Sequence, residues 1–432
     1  MAQPLAVIVL AAGLGTRTKV ALPKVLLSAC GRTLLDSVLD TVEGLHPDRT
    51  VVVVHHGKDL VLKSLRDPDR ITVVDQGEPK GTGHAVQVAV EALDGFVGDV
   101  LVVYGDVPLV TVETLKALRL YRGTGVASIL TAFDSPPTGM GRILRDGDGQ
   151  VQGVREERDC SEQELEIEEF NAGFYCFDAA RLPDALASLE SHNAQGELYL
   201  TDTVAFFLGT GEVVNTVSLD DPIEVSGVNT LEDLAFVRQV MQERILLEHL
   251  QNGVIIEDPA TTYIDHEVSI GANTRILPCT VIRSGVNIGV DCEIGPFSHL
   301  RVGTYIDDTA EVGNFVETKQ SFVGKGTKAK HLTYLGDTTI GEKANIGAGT
   351  ITANYDGSRK HPTLIGDGAF VGSGTVLVAP SKMGSRSKTG AGAIVTKNTA
   401  IPDGGVFVGV PARPLKARSE DGPADQAGEA GE

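Results

Sequence analysis

The chain has 432 residues, of which 42% are hydrophobic and 22% charged, and a formal charge of −21. That length excludes a single ordinary core, and the charge excludes a nucleic-acid backbone as partner, because an acidic surface repels phosphates. Five cysteines with no CxxC pair exclude a paired disulfide framework, and with no signal peptide and no long apolar run the expectation is a cytoplasmic protein without an integral membrane segment.

The amino-terminal half alternates strands and helices. LAVIVL (Leu5 to Leu10), TVVVVHH (Thr50 to His56), ITVVD (Ile71 to Asp75) and DVLVVY (Asp99 to Tyr104) are continuous apolar runs, the pattern of parallel strands covered on both faces. Thr33 to Leu45 and Gly83 to Leu93 carry helical spacing between them. A doubly wound, Rossmann-like α/β sheet follows, and such sheets bind ligands beyond the carboxyl ends of their strands.

The first strand runs into LAAGLGTR and then Pro23-Lys24. Gly13 and Gly15 free backbone N–H groups to turn toward an anion, and Arg17 and Lys24 add positive charge; a tight strand-to-helix turn would use the same glycines. Asp106 follows DVLVVY in YGDVP. A carboxylate beside a polyphosphate is costly unless a cation mediates, so Mg²⁺ is implied. RDGDGQ (Arg145 to Gln150) reads as a hairpin turn, and Leu231, Leu234, Val237, Met241, Ile245 and Leu246 as one face of a linking helix.

Beyond that helix the chain counts in sixes. Ile270, Ile276, Ile282, Ile288, Ile294, Leu300, Ile306 and Val312 are consecutive aliphatic residues at six-residue spacing. With about half of residues apolar, eight in succession arise by chance about once in 256 trials. The count resumes at Ile365, Val371, Leu377, Met383, Thr389, Val395 and Ile401, with Thr389 the one exception. A period of six fits neither helix nor flat strand and requires a solenoid. Each hexad makes one side of a prism, its aliphatic residue inside and glycine or a polar residue at the corner. This is the signature of a left-handed parallel β-helix. The expected domains are 1–229, a linker helix over 230–251, the β-helix over 252–415, and a disordered tail over 416–432 that is rich in acids and has almost nothing to bury.

LAAGLGTR…LPK, GTGHA, YGDVP, PTGMGRI, NAQGELYLTD and GVN resemble the sugar-1-phosphate nucleotidylyltransferases. Together with the hexads and GNFVE, HLTYLGD and NIGAGTITANYDG, they resemble one bacterial family over roughly residues 5 to 415. Its members join N-acetylglucosamine-1-phosphate uridylyltransferase to glucosamine-1-phosphate N-acetyltransferase. The resemblance implies that Leu10, Ala11, Ala12 and Gly13, with Arg17 and Lys24, hold the phosphates of UTP. Gln76, Gly81 and Thr82 would read uracil, while Tyr104, Gly105, Gly141, Glu156 and Asn171 would line the sugar side. Asp106 and Asn229 resemble Mg²⁺ ligands.

In the β-helix it implies acetyl transfer from acetyl-CoA, with His331 as the base and Glu317 orienting it. Arg301 and Lys319 would clamp the sugar phosphate, with Tyr334, Asn345 and Lys360 nearby. Ala348 would offer an N–H to the oxyanion, and Asn354, Tyr355, Ser373 and Ala391 would meet coenzyme A. The six-residue count slips between Val312 and Ile365, the stretch that holds Glu317, Lys319, His331, Tyr334, Asn354 and Lys360. A homotrimer is implied, since flat prism faces pack around a threefold axis. Thr18, Met140, Ala172 and Ser226 stand where the family usually has Met, Tyr, Thr and Glu; Pro79 replaces a usual Gln, and Gly409 an arginine. Two other readings share the motifs: a monofunctional nucleotidylyltransferase with a scaffold β-helix, and a non-catalytic regulatory subunit.

Overall fold

The computed structural model describes residues 3–13, 15–134 and 139–415. The acidic tail expected over 416–432 lies outside the described residues. The chain divides into two compact units, Met1–Met241 and Gln242–Glu432.

The first unit is built on a 9-stranded sheet. We label its main strands β1 (Leu5–Leu10), β2 (Arg49–Val54), β3 (Ile71–Asp75), β4 (Asp99–Tyr104), β5 (Ala127–Phe133), β6 (Glu169–Asp178) and β7 (Val214–Ser218), which lie in the order β7-β5-β6-β4-β1-β2-β3. Every residue of β1 is buried. Leu5, Val7 and Val9 join one core, while Ala6, Ile8 and Leu10 join the core on the other face. That alternation is why the run is apolar without interruption.

One strand departs from the expected parallel sheet. β6 is antiparallel to both β4 and β5. The connection from β5 contains a hairpin, Arg142–Arg145 paired with Val151–Arg155, and an antiparallel neighbour needs no crossover helix to reach its place. The hairpin expected at RDGDGQ is this one.

β2 lies on one side of β1 and β4 on the other, so a crevice opens at the carboxyl ends of β1 and β4. At the opposite end of β4, the buried Asp99 accepts from Arg119 Nε at 2.7 Å and from Arg122 Nε at 2.7 Å. Removing either arginine's charge would leave a buried carboxylate under-paired, at a cost of about 3–5 kcal/mol.

The helix Leu231–Gln251 begins in this unit, where Leu234, Val237 and Met241 pack with Leu27, Leu34, Leu109 and Val228. Leu231, expected on the same face, is 49% exposed because it is the helix's first residue and extends past that core.

The second unit consists of short parallel strands stacked into three faces. Ile264 pairs with Ile282, Ile270 with Ile288 and Ile276 with Ile294, one coil apart on each face. This is the architecture of a left-handed parallel β-helix. The counted aliphatic residues from Ile276 to Val312 are buried, as are Ile365 through Ile401. Ile270, on the first strand of its face, is only half-buried. Thr389 keeps its inward place through hydrogen bonds: its hydroxyl accepts from Gly372 N at 2.9 Å and lies 3.0 Å from Thr375 Oγ1.

Most left-handed corners carry a polar residue or glycine, as expected, among them Asn273, Asp291, Gln320 and Asn398, but one line of corners differs. Cys279, Phe297, Phe315 and Leu332 occupy the left-handed region at φ 58°, 55°, 55° and 44°, where glycine or a polar residue was expected. Stacking offsets part of the strain, for the rings of Phe297 and Phe315 lie parallel at 5.2 Å. The slips in the count also take a particular form. Two are nine-residue strands, Glu311–Lys319 and Lys328–Gly336, that carry hydrogen bonding around a corner. The third is an outward loop after Asn354, pinned by a bridge between Tyr355 and Lys360.

Candidate functional site

A cavity of about 570 Å³ opens at the carboxyl ends of β1 and β4. Leu10, Ala11, Ala12, Gly13, Arg17, Lys24, Gln76, Gly81, Thr82, Tyr104, Asp106, Gly141, Glu156, Asn171 and Asn229 all line it. Gly105, expected among them, sits behind the wall: its N–H continues the β1 ladder by donating to Leu10 O at 2.9 Å. An added Cβ there would meet Leu10 O and Leu35 Cδ1 at 3.3 Å, so its part is close packing.

One end of the cavity is cationic. Lys24 Nζ forms an ion pair with Asp106 and donates to Asn229 Oδ1 at 3.1 Å, an oxygen that also accepts from Arg17 Nη2 at 2.8 Å. Asn229 is held in turn by its own N–H, which donates to Asp233 Oδ2 at 2.8 Å. The oxygens of Asp106 and Asn229 therefore converge on one positive charge. A hard divalent cation that takes few protein ligands and completes its shell with phosphate and water fits such a pair. No cluster of three or more His, Cys, Asp or Glu side chains suited to a metal occurs among the described residues.

The other end is polar and more deeply buried. Glu156 Oε1 accepts from Thr201 Oγ1 at 2.9 Å, and Asn171 Nδ2 donates to Tyr175 OH at 2.7 Å. Burial pushes the Glu156 carboxyl above its usual range, and nearby Asp202, Asp159 and Glu197 push it the same way against the Thr201 bond. Burial likewise raises the Tyr104 phenol, with Glu156 and Asp106 adding to it, so Tyr104 is a neutral donor.

Several wall residues escaped the sequence reading. Gly173 lies where β6 shifts register between Asn171 and Tyr175, at φ 85°, and an added Cβ would stand 2.9 Å from Tyr104 Cε2. Tyr199 and Thr201 come from NAQGELYLTD, so the motif pointed to the segment without saying which side chains face inward. Pro79, Met140 and Ala172, three of the departures from the family pattern, line the cavity as well. Thr18 does not; its buried hydroxyl donates to Gly15 O at 2.8 Å.

The candidate residues of the second unit lie along one corner of the prism and the face beyond it. Asn314 is in register with His331. Backbone bonds from Gly349 N to Leu332 O, Gly374 N to Ala348 O and Gly392 N to Ser373 O stack His331, Ala348, Ser373 and Ala391 along this edge. His331, Ser373 and Ala391 are exposed, as are Asn345 and Tyr355. Ala348 O accepts from Gly374 N at 2.7 Å.

Around the corner, Arg301 Nη1 donates to Glu317 Oε1 at 2.7 Å. Lys319 faces Lys360, whose neighbouring charge holds the Lys319 ammonium below its usual range, with Arg301 pushing the same way. This excess of positive charge suits a phosphate. Tyr334 OH and Asn354 Nδ2 both approach Gly336, each 2.6 Å from where a Cβ would stand, and Asn354 also bonds Asp337.

Glu317, expected to orient His331, lies in register with Tyr334, three residues along, and its carboxylate accepts from Arg301. The His331 imidazole has no hydrogen-bond partner among the described residues.

Residues 7–166 match the family described as the MobA-like NTP transferase domain. Over most of its length the chain is similar to a set of characterised relatives. It is 44% identical to the bifunctional protein GlmU of Lactococcus lactis subsp. cremoris (strain SK11), over 93% of this chain and 94% of that protein. It is 42% identical to the bifunctional protein GlmU of Pelotomaculum thermopropionicum, over 87% and 90%. With the bifunctional protein GlmU of Shouchella clausii it shares 41% identity over 90% and 93%.

Proposed function

The chain belongs to the GlmU family of bifunctional proteins, and from that premise we propose that it catalyses two steps of UDP-N-acetylglucosamine synthesis. It moves the acetyl group of acetyl-CoA to glucosamine 1-phosphate. It then joins N-acetylglucosamine 1-phosphate to the uridylyl group of UTP and releases pyrophosphate. The observation that supports this most is one cavity with a cationic end at Arg17 and Lys24 and a polar, buried end at Glu156 and Asn171.

In the uridylyl step a phosphate oxygen of the sugar attacks the α-phosphorus of UTP in line, and the bond to pyrophosphate breaks. The nucleophile is already an anion, so no general base is required. What the step needs is alignment and neutralisation of converging negative charges. Arg17 and Lys24 supply positive charge beside the Gly13 turn, while Tyr104, Gly141, Glu156 and Asn171 hold the sugar. Asp106 and Asn229 would hold Mg²⁺, which when bound neutralises phosphate charge.

In the acetyl step His331 takes a proton from the amine of glucosamine 1-phosphate, and the nitrogen attacks the thioester carbonyl. The Ala348 N–H meets the developing oxyanion, and the thiolate of coenzyme A departs with a proton returned from His331. Lys319, Lys360 and Arg301 hold the acceptor's phosphate, with Tyr334 and Asn345 beside the sugar; Glu317 acts by orienting Arg301. Asn354, Tyr355, Ser373 and Ala391 meet the coenzyme. The working assembly is a homotrimer in the cytoplasm.

Two assays on the full chain test this: pyrophosphate release from UTP with N-acetylglucosamine 1-phosphate, and thiol release from acetyl-CoA with glucosamine 1-phosphate. Turnover in both is expected. Loss of the second alone would leave the β-helix a scaffold, and silence in both would leave a regulatory subunit.

A further inference from the structure

The two acceptors that suit a divalent cation in the cavity are already engaged by the protein's own cations. Lys24 Nζ pairs with Asp106 and donates to Asn229 Oδ1 at 3.1 Å, and Arg17 Nη2 donates to the same oxygen at 2.8 Å. An amide oxygen has two lone pairs, and these donors take both. Asp106 keeps spare lone pairs, but a dication on either carboxylate oxygen would stand beside the Lys24 ammonium. The side chains of Lys24 and Asp106 are only 11% and 16% exposed, so water screens that repulsion poorly. The base of the lysine is held at the turn proposed to face the phosphates, for an added Cβ on Gly15 would stand 3.0 Å from Lys24 Cβ. Its flexible four-carbon stem can therefore carry the ammonium from Asp106 to a phosphate at that turn without backbone movement.

We propose that Lys24 gates the divalent cation: its ammonium competes with the metal for Asp106 and Asn229, and the polyphosphate of the nucleotide frees both by drawing Lys24 away. This rests on the nucleotide-binding reading above and adds an order to it. The metal arrives with the nucleotide or after it, and Lys24 returns to Asp106 as pyrophosphate leaves. A lysine that served only as a phosphate ligand would have no effect on metal affinity before the nucleotide binds.

The test is titration of the full chain with Mn²⁺ alone, the free ion followed by electron paramagnetic resonance, alongside calorimetric binding of UTP in Mg²⁺. Lys24→Met should bind Mn²⁺ about tenfold more tightly than the wild type and UTP more weakly, so that one substitution moves the two affinities in opposite directions. Lys24→Gln serves if that variant does not fold. Arg17→Met removes an equal charge but no contact with Asp106, and should tighten Mn²⁺ binding by no more than about threefold. Lys24→Arg, which keeps the charge, should leave it as weak as in the wild type. Adding Asp106→Ala to Lys24→Met should abolish the gain, which assigns the ion to the gated pair. An unchanged Mn²⁺ affinity in Lys24→Met, an equal gain in Arg17→Met, or a gain that survives Asp106→Ala overturns the inference alone. A wild type that binds no UTP overturns the functional reading with it.

Discussion

The two candidate sites occupy surfaces of opposite curvature. In the first unit the crevice between β1 and β4 is concave, and fifteen of the expected residues meet in one cavity of about 570 Å³. In the second they lie along a corner of a prism, with His331, Ser373 and Ala391 exposed and the imidazole unpartnered. A switch point in an α/β sheet can enclose a small ligand by itself. A convex edge offers one wall only. The proposed uridylyl site should accordingly be complete in one chain, whereas the proposed acetyl site would draw a second wall from the proposed trimer.

The sharpest break would come from separating the chemistries. Asp106→Ala should lower pyrophosphate release by about 10³-fold and leave thiol release intact. His331→Ala should do the reverse, by about 10²–10⁴-fold. A single substitution that removed both activities from a folded chain would contradict two independent sites. Dilution probes the curvature argument directly: thiol release per chain should fall by most of its value as the assembly dissociates, while pyrophosphate release per chain holds steady. Equal loss in both would mean that the cavity also depends on the assembly.

Smaller effects sharpen the contrast within each region. Gly173→Ala adds a Cβ 2.9 Å from Tyr104 at φ 85°, so the ring must shift. We expect a loss of about 1–2 kcal/mol in stability and a raised KM for the sugar phosphate, measured by denaturant titration and steady-state kinetics. In the coil, Thr389→Val keeps the shape but leaves the Gly372 N–H unpaired. That should cost about 1–3 kcal/mol with neither activity changed. If it costs nothing, the inward threonine is a tolerated exception in the hexad count and not a held one.

Much of the molecule was legible before its structure. The period of six located the inward residues of the β-helix, and the continuous apolar runs located β1 to β4, because both patterns record which side of a local backbone is buried. LAAGLGTR, YGDVP, NAQGELYLTD and GVN named the segments that surround the cavity. Gly105 and Gly173 show where this stops: one directly before Asp106 and the other two residues after Asn171, the first packs behind the wall and the second forms it.

By itself, then, the sequence determined the two architectures and the segments that carry chemistry, since periodicity and turn chemistry are set by short-range geometry. Only the tertiary structure decided that β6 enters the sheet antiparallel, that Glu317 serves Arg301 while His331 stands alone, and that Lys24 meets Asp106 and Asn229. Each of these depends on the register or approach of segments brought together by folding, and a difference of three residues between coils exchanges one partner for another.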